Sequence, residues 1–299
     1  MRGAAMRVVV GGGTGFVGRA LTQLLRSRGH QVTHVSRRGG KDRISWEELS
    51  HSGLPLCEAV VNLAGENVLN PFRRWSDAFC REVVSSRVET TKALAKAIAA
   101  AEQPPLCLGP RHWRFYRPSP TAEYTEDSAG GDFDFFSRLV SSWEAAALIP
   151  GSPTRGVVVR SGVVLGRDGG AISQMLLPFR LGLGGPMGSG LQPFPWIHIQ
   201  DLAGIVCHAL EKESVRGILN GVAPSSPGTS NGTFAQELAA ALGRPALLPV
   251  PAWAVRAVFG AERAAMLLEG QRVLPKRTLE SGYRFIFPEL PAALKDIVA

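Results

Sequence analysis

The stretch Arg7-Val-Val-Val-Gly-Gly-Gly-Thr-Gly-Phe-Val-Gly18 decides the fold. Its first residues are β-branched and predict a buried strand, and the apolar spacing of residues 16–28 predicts a helix. The pattern G-x-x-G-x-x-G follows, with Gly12 and Gly15 between the predicted strand and helix and Gly18 in the first turn of the helix. Such glycines allow a tight turn, close approach of the backbone to a pyrophosphate, and close packing of helix on strand. The helix N-terminus offers N–H groups to an anion, so the pattern predicts dinucleotide binding.

The alternation of strand and helix patterns continues beyond this motif. Short runs rich in β-branched residues predict strands at residues 31–35, 59–63 and 156–160. Helical spacing predicts helices at residues 83–101 and 134–147. A chain that alternates strands with helices forms a parallel sheet with right-handed crossovers. The predicted fold is therefore α/β, a Rossmann-type doubly wound parallel sheet with a smaller α+β C-terminal region on the substrate side.

The composition bounds the class of protein. The chain has 299 residues, of which 45% are hydrophobic and 19% charged, so it can bury a large core and is not disordered. No apolar run reaches the roughly 18 residues that a membrane span needs, so no membrane partner is predicted. The net charge is +8, but the 27 Arg and 6 Lys are scattered and do not alternate with aromatic residues. No nucleic-acid partner is therefore predicted.

The cysteines and histidines also carry information. The chain has four cysteines, Cys57, Cys80, Cys107 and Cys207. They form no C-x-x-C pair and indicate reduced thiols in an intracellular protein. We expect a cytoplasmic protein, and the basic N-terminus leaves a mitochondrial location open. No histidine shows metal-ligand spacing, so no metal is predicted. His198 is interpreted as a packing or helix-capping residue, and Asp201 as the cap of a following helix.

The residues that follow the second predicted strand indicate which dinucleotide is preferred. An NAD-specific site has an acidic residue here that holds the ribose 2′-hydroxyl. This chain has Ser36 and Arg37 instead, and its first acidic residue is Asp42. A hydroxyl and a guanidinium suit a 2′-phosphate, so NADP(H) is predicted over NAD(H); the other interpretation is an exposed basic turn. The small residues of Asn62-Leu-Ala-Gly65 would let the adenosine half lie against the backbone.

Three motifs together resemble the extended short-chain dehydrogenase/reductase superfamily, in its NAD(P)-dependent epimerase/dehydratase branch. They are the glycine pattern, Asn62-Leu-Ala-Gly65 and Trp196-Ile-His-Ile-Gln-Asp-Leu-Ala203. The chain from Pro249 resembles the C-terminal domain of one subgroup, with Leu267-Leu-Glu-Gly-Gln-Arg-Val-Leu-Pro275 as its signature. The resemblance implies three parts: a Rossmann domain that binds NADP at residues 6–165, a substrate-side region interleaved with its sheet at 166–248, and a subgroup-specific C-terminal domain at 249–299.

The resemblance also implies a set of cofactor contacts. The glycine loop would hold the pyrophosphate, and Ser36 and Arg37 would hold the 2′-phosphate. For Glu82 and Arg87 the alternative is a solvated pair of charges on one helix. The implied contacts are Gly12, Gly15, Phe16, Val17, Gly18, Ser36, Arg37, Leu63, Ala64, Glu82, Arg87 and Arg160.

The catalytic pair that is typical of the superfamily, Tyr-x-x-x-Lys, is absent. In those enzymes the Tyr exchanges a proton with the substrate and the Lys lowers the pKa of that Tyr. None of the three tyrosines of this chain has a Lys four residues later. Matching Glu144 to the glutamate that follows the pair in the family puts Phe136 at the Tyr position and Val140 at the Lys position. Neither can exchange a proton, so no catalytic residue is assigned.

Residues 106–119 depart from the family in a second way. The family has an apolar strand ending in Ser/Thr-Gly here, whereas this chain has Pro110 and three arginines. Proline is excluded from central strands and arginine is rarely buried unpaired, so a central strand is expected to be weakened. We hypothesise a local frameshift or a misplaced exon edge in the coding sequence, which sequencing of the transcript tests.

Two functions remain open on these observations. The first is an NADP(H)-dependent oxidoreductase or epimerase that acts on an unknown small molecule, with Tyr116 or Tyr124 in place of the missing proton donor. The second is a catalytically inactive NADP(H)-binding protein that acts as a sensor or a scaffold. Both predict NADP(H) binding, and the fold alone does not choose between them.

Overall fold

The structure, a computed structural model, describes residues 4–103, 105–148 and 154–299, with the backbone alone at residues 108 and 110–113. The strands of the described residues are Arg7–Gly11 (β1), Gln31–Ser36 (β2), Arg43–Ser45 (β3), Ala59–Asn62 (β4), Leu106–His112 (β5), Glu123–Tyr124 (β6), Gly156–Ser161 (β7), Val163–Leu165 (β8), Trp196–His198 (β9), Gly217–Gly221 (β10) and Arg272–Val273 (β11). The helices are Phe16–Ser27 (α1), Trp46–Ser52 (α2), Asp77–Ala99 (α3), Phe135–Ala146 (α4), Gly170–Arg180 (α5), Ile199–Glu211 (α6), Asn231–Ala241 (α7), Ala252–Phe259 (α8), Ala261–Leu268 (α9), Lys276–Glu280 (α10) and Leu290–Val298 (α11).

Seven of these strands form one parallel sheet in the order β10-β7-β5-β4-β1-β2-β3. The valines of β1 show why the sheet is covered on both faces. Val8 and Val10 lie in a core with α1 and α6, whereas Val9 lies in a core on the other face with α2 and α3. A strand that is buried on both faces reads as a continuous apolar run. The predicted doubly wound Rossmann-type fold is confirmed.

Strand β5 lies inside this sheet although it contains Pro110. Only Leu106, Cys107 and Leu108 pair with β4, and beyond them β5 pairs with β7 alone. The backbone N–H of Leu106 points to the β4 side and that of Cys107 to the β7 side. By alternation the missing N–H of Pro110 faces the β4 side, past the end of the pairing, so the expected weakening does not remove the strand. The hypothesis about the coding sequence stays a prediction.

Helix α6 begins earlier than the sequence suggests. Its N-cap is His198, whose Nδ1 accepts a hydrogen bond from the backbone N–H of Gln200 at 3.2 Å, so the helix-capping interpretation of His198 is confirmed. The interpretation of Asp201 as a cap is wrong. The Asp201 carboxylate is buried and accepts hydrogen bonds from the backbone N–H groups of Ile286 and Phe287 at 2.7 and 2.9 Å. Because α6 starts at Ile199, Asp201 already lies within the helix and fastens the C-terminal segment to it.

The chain after β8 joins the sheet and also builds a separate core. Strand β10 pairs with β7 at one edge of the large sheet, and α6 packs against α1. Helices α5, α7 and α11 form a second core around Trp196 and Phe234. The division at residues 165 and 248 stays a prediction. None of the four cysteines forms a disulfide with another described residue, and no helix in the described ranges combines the length and apolarity that crossing a bilayer requires.

Candidate functional site

The glycine loop between β1 and α1 is set by close contacts that no larger residue allows. A Cβ on Gly18 would lie 2.4 Å from the carbonyl oxygen of Gly12, and a Cβ on Gly12 would lie 2.7 Å from the backbone nitrogen of Ala64. Gly12 also has a φ of +72°, which favours glycine. The three roles expected of the pattern therefore have a physical basis here: a tight turn, an exposed backbone and a helix that packs close to its strand.

Helix α1 presents its N-terminus to this loop. Its N-cap is Gly15, whose hydrogen side chain cannot cap the helix, and its first turn carries no acidic residue. Phe16 and Val17 begin the helix, half-buried beside the loop. The N–H groups of the first turn and the positive end of the helix dipole are thus available to an anion. This is the arrangement that binds the phosphates of a dinucleotide.

The end of β2 lies beside the glycine loop. The backbone N–H of Gly12 donates a hydrogen bond to the carbonyl oxygen of Val35 at 3.1 Å, which places Ser36 and Arg37 at the same edge of the sheet. Ser36 is half-buried and donates its hydroxyl to the carbonyl oxygen of Arg38 at 2.6 Å. Arg37 is exposed, and within the described ranges no carboxylate pairs with it. This edge therefore carries positive charge where an NAD site would carry an acid.

The turn after β4 meets the loop from the other side. The backbone N–H of Leu63 donates to the carbonyl oxygen of Gly11 at 2.8 Å, and that of Ala64 donates to Oδ1 of Asn62 at 3.0 Å. The amide of Asn62 in turn donates to the hydroxyl of Thr91 on α3 at 2.8 Å. Asn62 is thus a buried positioning residue, and it leaves Leu63 and Ala64 half-exposed next to the glycine loop.

Arg87 on α3 lies against the same turn. Its guanidinium donates to the carbonyl oxygen of Glu66 at 2.9 Å and sits about 3 Å from the position that a Cβ of Gly65 would occupy. Burial lowers the pKa of Arg87 to about 10, and the negative charge of the nearby Glu66 offsets only part of that effect. A half-buried cation whose burial is only partly offset by an acidic neighbour is suited to an anionic ligand.

Glu82, one turn and a half before Arg87, points elsewhere. Its carboxylate accepts a hydrogen bond from Arg73 at 2.6 Å, and both side chains are close to half-exposed. Glu82 and Arg87 therefore do not form the charge pair that the sequence left as an alternative. A cofactor contact for Glu82 stays a prediction, and it requires the pair with Arg73 to open or to be shared.

Arg160 is embedded in a buried polar network. Its Nε and Nη2 each donate to one carboxylate oxygen of Glu144 at 2.9 Å, and its Nη1 donates to the hydroxyl of Tyr116 at 3.1 Å. Burial is the largest single effect and opposes its charge, but the bonds and charges of Glu144 and Tyr116 together outweigh it and raise the pKa of Arg160. The guanidinium also stacks 3.4 Å above the ring of Phe115. A cofactor contact for Arg160 stays a prediction, and its described bonds make it a residue that ties α4 to β7.

The tyrosines proposed as substitute donors are engaged or covered. Tyr116 is fully buried and donates its hydroxyl to Oδ1 of Asn220 at 2.8 Å. Burial raises its pKa, although Arg160 partly offsets that effect. Tyr124 stacks on Tyr116 with ring centroids 5.2 Å apart and is half-buried. Tyr116 cannot reach a substrate without breaking its network, so Tyr124 is the more accessible of the two.

The Tyr and Lys positions of α4 are filled by core residues. Phe136 and Val140 are buried, with Phe136 in an apolar cluster that joins α4 to α3. On the same helix Trp143 donates its Nε1 to the hydroxyl of Thr91 at 2.8 Å, which links α4 to the Asn62 turn. This face of α4 positions the cofactor edge through packing, and it holds no titratable group at either catalytic position.

A cleft of about 370 Å³ opens beside Phe136, between the start of α4 and α9. Arg114 forms one wall: it is buried and donates to Asp134 at 2.7 and 2.9 Å and to Glu269 at 2.8 Å. These ion pairs explain how an arginine of the unusual segment 106–119 is tolerated inside the protein. This cleft could not be predicted from local patterns, because its walls come from parts of the chain that lie far apart. The lining includes Arg114, Arg117, Phe133, Phe135, Phe136, Glu262 and Glu269.

One cluster with the composition of a metal site occurs in the described part of the chain. His30, Cys207 and Glu211 bring their ligand atoms within 4.8 Å of one another. However, Nδ1 of His30 accepts a hydrogen bond from the backbone N–H of Met6 at 3.1 Å, so its proton sits on Nε2, which faces Glu211 at 3.1 Å. Burial raises the pKa of Cys207 to about 12, which keeps its thiol protonated. These bonds form a hydrogen-bonded network that joins the segment between α1 and β2 to α6, and spacing along the chain did not reveal it.

Comparison with known proteins bears on the resemblance. The model of the NAD dependent epimerase/dehydratase family matches residues 8–129, and that of a domain of unknown function, DUF1731, matches residues 250–297. The epimerase family protein SDR39U1 of Bos taurus is 67% identical over 298 residues, which are 98% of this chain and 100% of that protein. This chain belongs to the epimerase family. Its resemblance to the NAD(P)-dependent epimerase/dehydratase branch is confirmed.

Solved structures agree with the family. The crystal structure of the human epimerase family protein SDR39U1 (isoform 2) with NADPH is 66% identical, with a TM-score of 0.96 over 98% of this chain and 99% of that one. The UDP-N-acetylglucosamine 4-epimerase of Bacillus cereus is 17% identical, with a TM-score of 0.75 over 98% of each chain, and shares the fold. The same α/β architecture is thus found in a relative at 66% identity and in a structure at 17% identity.

Proposed function

We propose that this epimerase-family chain binds NADP(H) at the edge formed by the ends of β1, β2 and β4. The observation that carries the proposal is the convergence of three segments there. Hydrogen bonds from Gly12 to Val35 and from Leu63 to Gly11 fix the glycine loop between the other two segments. The human relative, which is 66% identical, was crystallised with NADPH, and this supports the same cofactor here.

The residues present fit this cofactor. The uncapped α1 helix and the glycine loop offer backbone N–H groups to the pyrophosphate. Ser36 and Arg37 offer a hydroxyl and a guanidinium to the 2′-phosphate, and the exposed Arg37 needs no rearrangement to do so. Leu63 and Ala64 would line the adenosine side, since their backbone is held against the loop. Each of these roles follows from a position that the structure brings to one edge.

Arg87 would contribute a second cation to the bound dinucleotide. Its desolvated guanidinium lies beside the turn that carries Leu63 and Ala64, and an anionic group there would offset the part of the burial effect that Glu66 does not. The resemblance implies contacts of Glu82 and Arg160 with the same cofactor. Both already hold partners, Arg73 and Glu144 respectively, so we assign them first to positioning α3 and α4.

The chemistry that we propose is an NADP(H)-dependent oxidoreductase or epimerase reaction on an unknown small molecule. When bound, the nicotinamide supplies or accepts a hydride. The cleft beside Phe136 would receive the substrate, because it lies next to the helix that carries the catalytic pair in the superfamily. This chain holds no Tyr or Lys there, so the proton would come from solvent through the cleft or from the accessible Tyr124.

A second candidate function is favoured by one specific observation. Phe136 and Val140 are not merely different residues but are packed in apolar contacts, so the usual proton donor is replaced by core. A protein that binds NADP(H) at such a site without turnover would act as a sensor of the cofactor's redox state or as a scaffold. The cofactor site is common to both functions.

Binding and turnover can be tested in sequence on the full chain. Isothermal titration calorimetry with NADPH, NADP⁺ and NADH is expected to show tight binding of NADPH and NADP⁺, which carry the 2′-phosphate, and weak binding of NADH. Equal affinity for NADH and NADPH would overturn the assignment of Ser36 and Arg37. NADPH oxidation is then followed at its absorbance band with a panel of aldehydes, ketones and nucleotide sugars. Turnover that exceeds the rate without substrate supports the enzyme, and tight binding without turnover supports the sensor.

A further inference from the structure

Exposed apolar side chains are concentrated in one part of the molecule. Of fourteen large hydrophobic side chains that are exposed among the described residues, nine belong to two short segments, residues 177–191 and 244–258. Their exposed fractions are high: 80% for Leu191, 76% for Leu247 and 73% for Trp253. Single exposed apolar residues are normal on any protein, but a concentration of this kind indicates an interaction site.

The two segments lie side by side. The backbone N–H of Gly188 donates to the carbonyl oxygen of Val250 at 2.9 Å, and that of Val250 donates to the carbonyl oxygen of Pro186 at 2.8 Å. A Cβ on Gly185 would lie 2.2 Å from the carbonyl oxygen of Leu248, so the contact extends along both segments. Together they form one surface, which we call the basic apolar surface, made of residues 177–191 and 244–258.

The charges of this surface all have the same sign. Within the two segments the charged residues are Arg180, Arg244 and Arg256, and there is no Asp or Glu. All three arginines are exposed, and no hydrogen bond or ion pair joins their guanidinium groups to another described residue. On α8, Arg256 lies three residues after Trp253, so the tryptophan and the guanidinium share a helix face opposite the buried Val255.

We propose that the basic apolar surface binds the surface of an anionic phospholipid bilayer. Leucines and a tryptophan that stand out from the protein suit the boundary between headgroups and acyl chains, and tryptophan is enriched there. Three unpaired arginines suit lipid phosphates and the negative surface potential of such a membrane. A protein can bind the surface of a bilayer in this way without a spanning helix. The prediction of no membrane partner considered only apolar runs long enough to span a membrane, so it does not apply to this surface.

The charge pattern argues against the other partners. A surface that binds nucleic acid is typically dense in cationic side chains, whereas this surface has nine large exposed apolar side chains and only three arginines. A second copy of the chain would bring the same three arginines face to face around a twofold axis, with no acid in either segment to pair with them. A bilayer that carries negative headgroups satisfies both the apolar and the cationic part.

Co-sedimentation with vesicles tests this surface on the full chain. Wild-type protein is expected to sediment with phosphatidylcholine vesicles that contain phosphatidylserine, and not with phosphatidylcholine alone. Each arginine near an anionic membrane contributes about fivefold in partitioning, so the triple variant R180Q/R244Q/R256Q is expected to bind about 100-fold more weakly. The double variant L247S/W253S, which keeps all three charges, is expected to lose binding by about tenfold or more.

Matched controls separate this surface from general charge and hydrophobicity. The triple variant R81Q/R216Q/R284Q removes the same charge from exposed positions elsewhere, and L56S/I286S removes exposed apolar residues elsewhere. Both controls are expected to bind vesicles within about twofold of wild type, apart from the loss in long-range attraction that salt screens. Equal binding by all variants, or no binding of wild type to anionic vesicles, overturns the proposal. So does a dimer that L247S/W253S dissociates without any effect of vesicles.

Discussion

The two sides of the candidate site are built in different ways. At the ends of β1, β2 and β4, the contacts that define the site are made by backbone groups, and glycines mark where the backbone must come close. Beside β5, β7 and α4, the contacts are made by side chains: Arg160 with Glu144, Tyr116 with Asn220, and Arg114 with Asp134. The first kind of site leaves a local pattern in the sequence, and the second does not.

This difference also separates what the chain retains from what it has replaced. The edge formed by the ends of β1, β2 and β4, which we call the nucleotide edge, has the features that suit an anion, including the uncapped helix α1. The α4 side has apolar core at the positions of the catalytic pair, yet it is firmly connected by buried ion pairs.

The largest effect is expected where the α4 side depends on a buried charge. Glu144→Ala removes the bidentate partner of Arg160 and leaves a buried guanidinium with Tyr116 as its remaining bond. Breaking a buried ion pair in this way costs about 3–5 kcal/mol, which urea denaturation measures as a loss in the free energy of unfolding. The control Glu82→Ala breaks the half-exposed pair with Arg73 and is expected to cost at most about 1 kcal/mol. Equal losses for the two variants would mean that Arg160 is not held as described.

The next effect concerns the backbone of the nucleotide edge. Gly18→Ala places a Cβ 2.4 Å from the carbonyl oxygen of Gly12, so helix α1 must shift away from the loop. Overpacking of this size costs about 1–3 kcal/mol, and we expect NADPH affinity to fall by about tenfold or more in calorimetry. Gly156→Ala is the matched control, because no atom lies within 4 Å of its added Cβ. An unchanged affinity of Gly18→Ala would show that the loop does not bind the dinucleotide.

A smaller effect is expected from the side chain that selects the cofactor. Arg37→Gln removes an exposed cation at the end of β2, and a charge-assisted bond to the 2′-phosphate is worth about 1.5–3 kcal/mol. NADPH affinity is therefore expected to fall by about tenfold or more, with NADH affinity unchanged. Arg216→Gln removes an equally exposed charge far from this edge and serves as the control. Parallel losses for NADPH and NADH would contradict a specific contact with the 2′-phosphate.

The difference between backbone contacts and side-chain contacts also explains which parts of the fold and of the site could be predicted from the sequence. The valine runs and the glycine pattern predicted β1, α1 and the parallel sheet, because local spacing encodes them. Strand β3 and helix α2 were missed, although Ser45 and Glu48 form a capping box that could have indicated the start of α2. Strand β5 was expected to be weakened, because the sequence does not show that the pairing between β4 and β5 stops before it reaches Pro110.

The polar networks were out of reach for a different reason. Arg160 was predicted as a cofactor contact, but its bonds to Glu144 and Tyr116 join residues up to 44 positions apart, which only the folded chain brings together. Asp201 was interpreted as a helix cap from its position alone. Its actual partners, the backbone N–H groups of Ile286 and Phe287, lie more than eighty residues later.

The smallest effect is expected from restoring the missing hydroxyl. Phe136→Tyr adds one oxygen to a buried ring that lines the cleft, and a hydroxyl turned towards the cleft should change the free energy of unfolding by less than about 1 kcal/mol. NADPH affinity is expected to stay within about twofold, since the glycine loop and Ser36 are untouched. We also expect no gain in carbonyl reduction, because a tyrosine without the neighbouring lysine keeps a high pKa. A clear rise in NADPH oxidation with Phe136→Tyr alone would show that the α4 side lacks only the proton donor, and that the rest of a catalytic site is still in place.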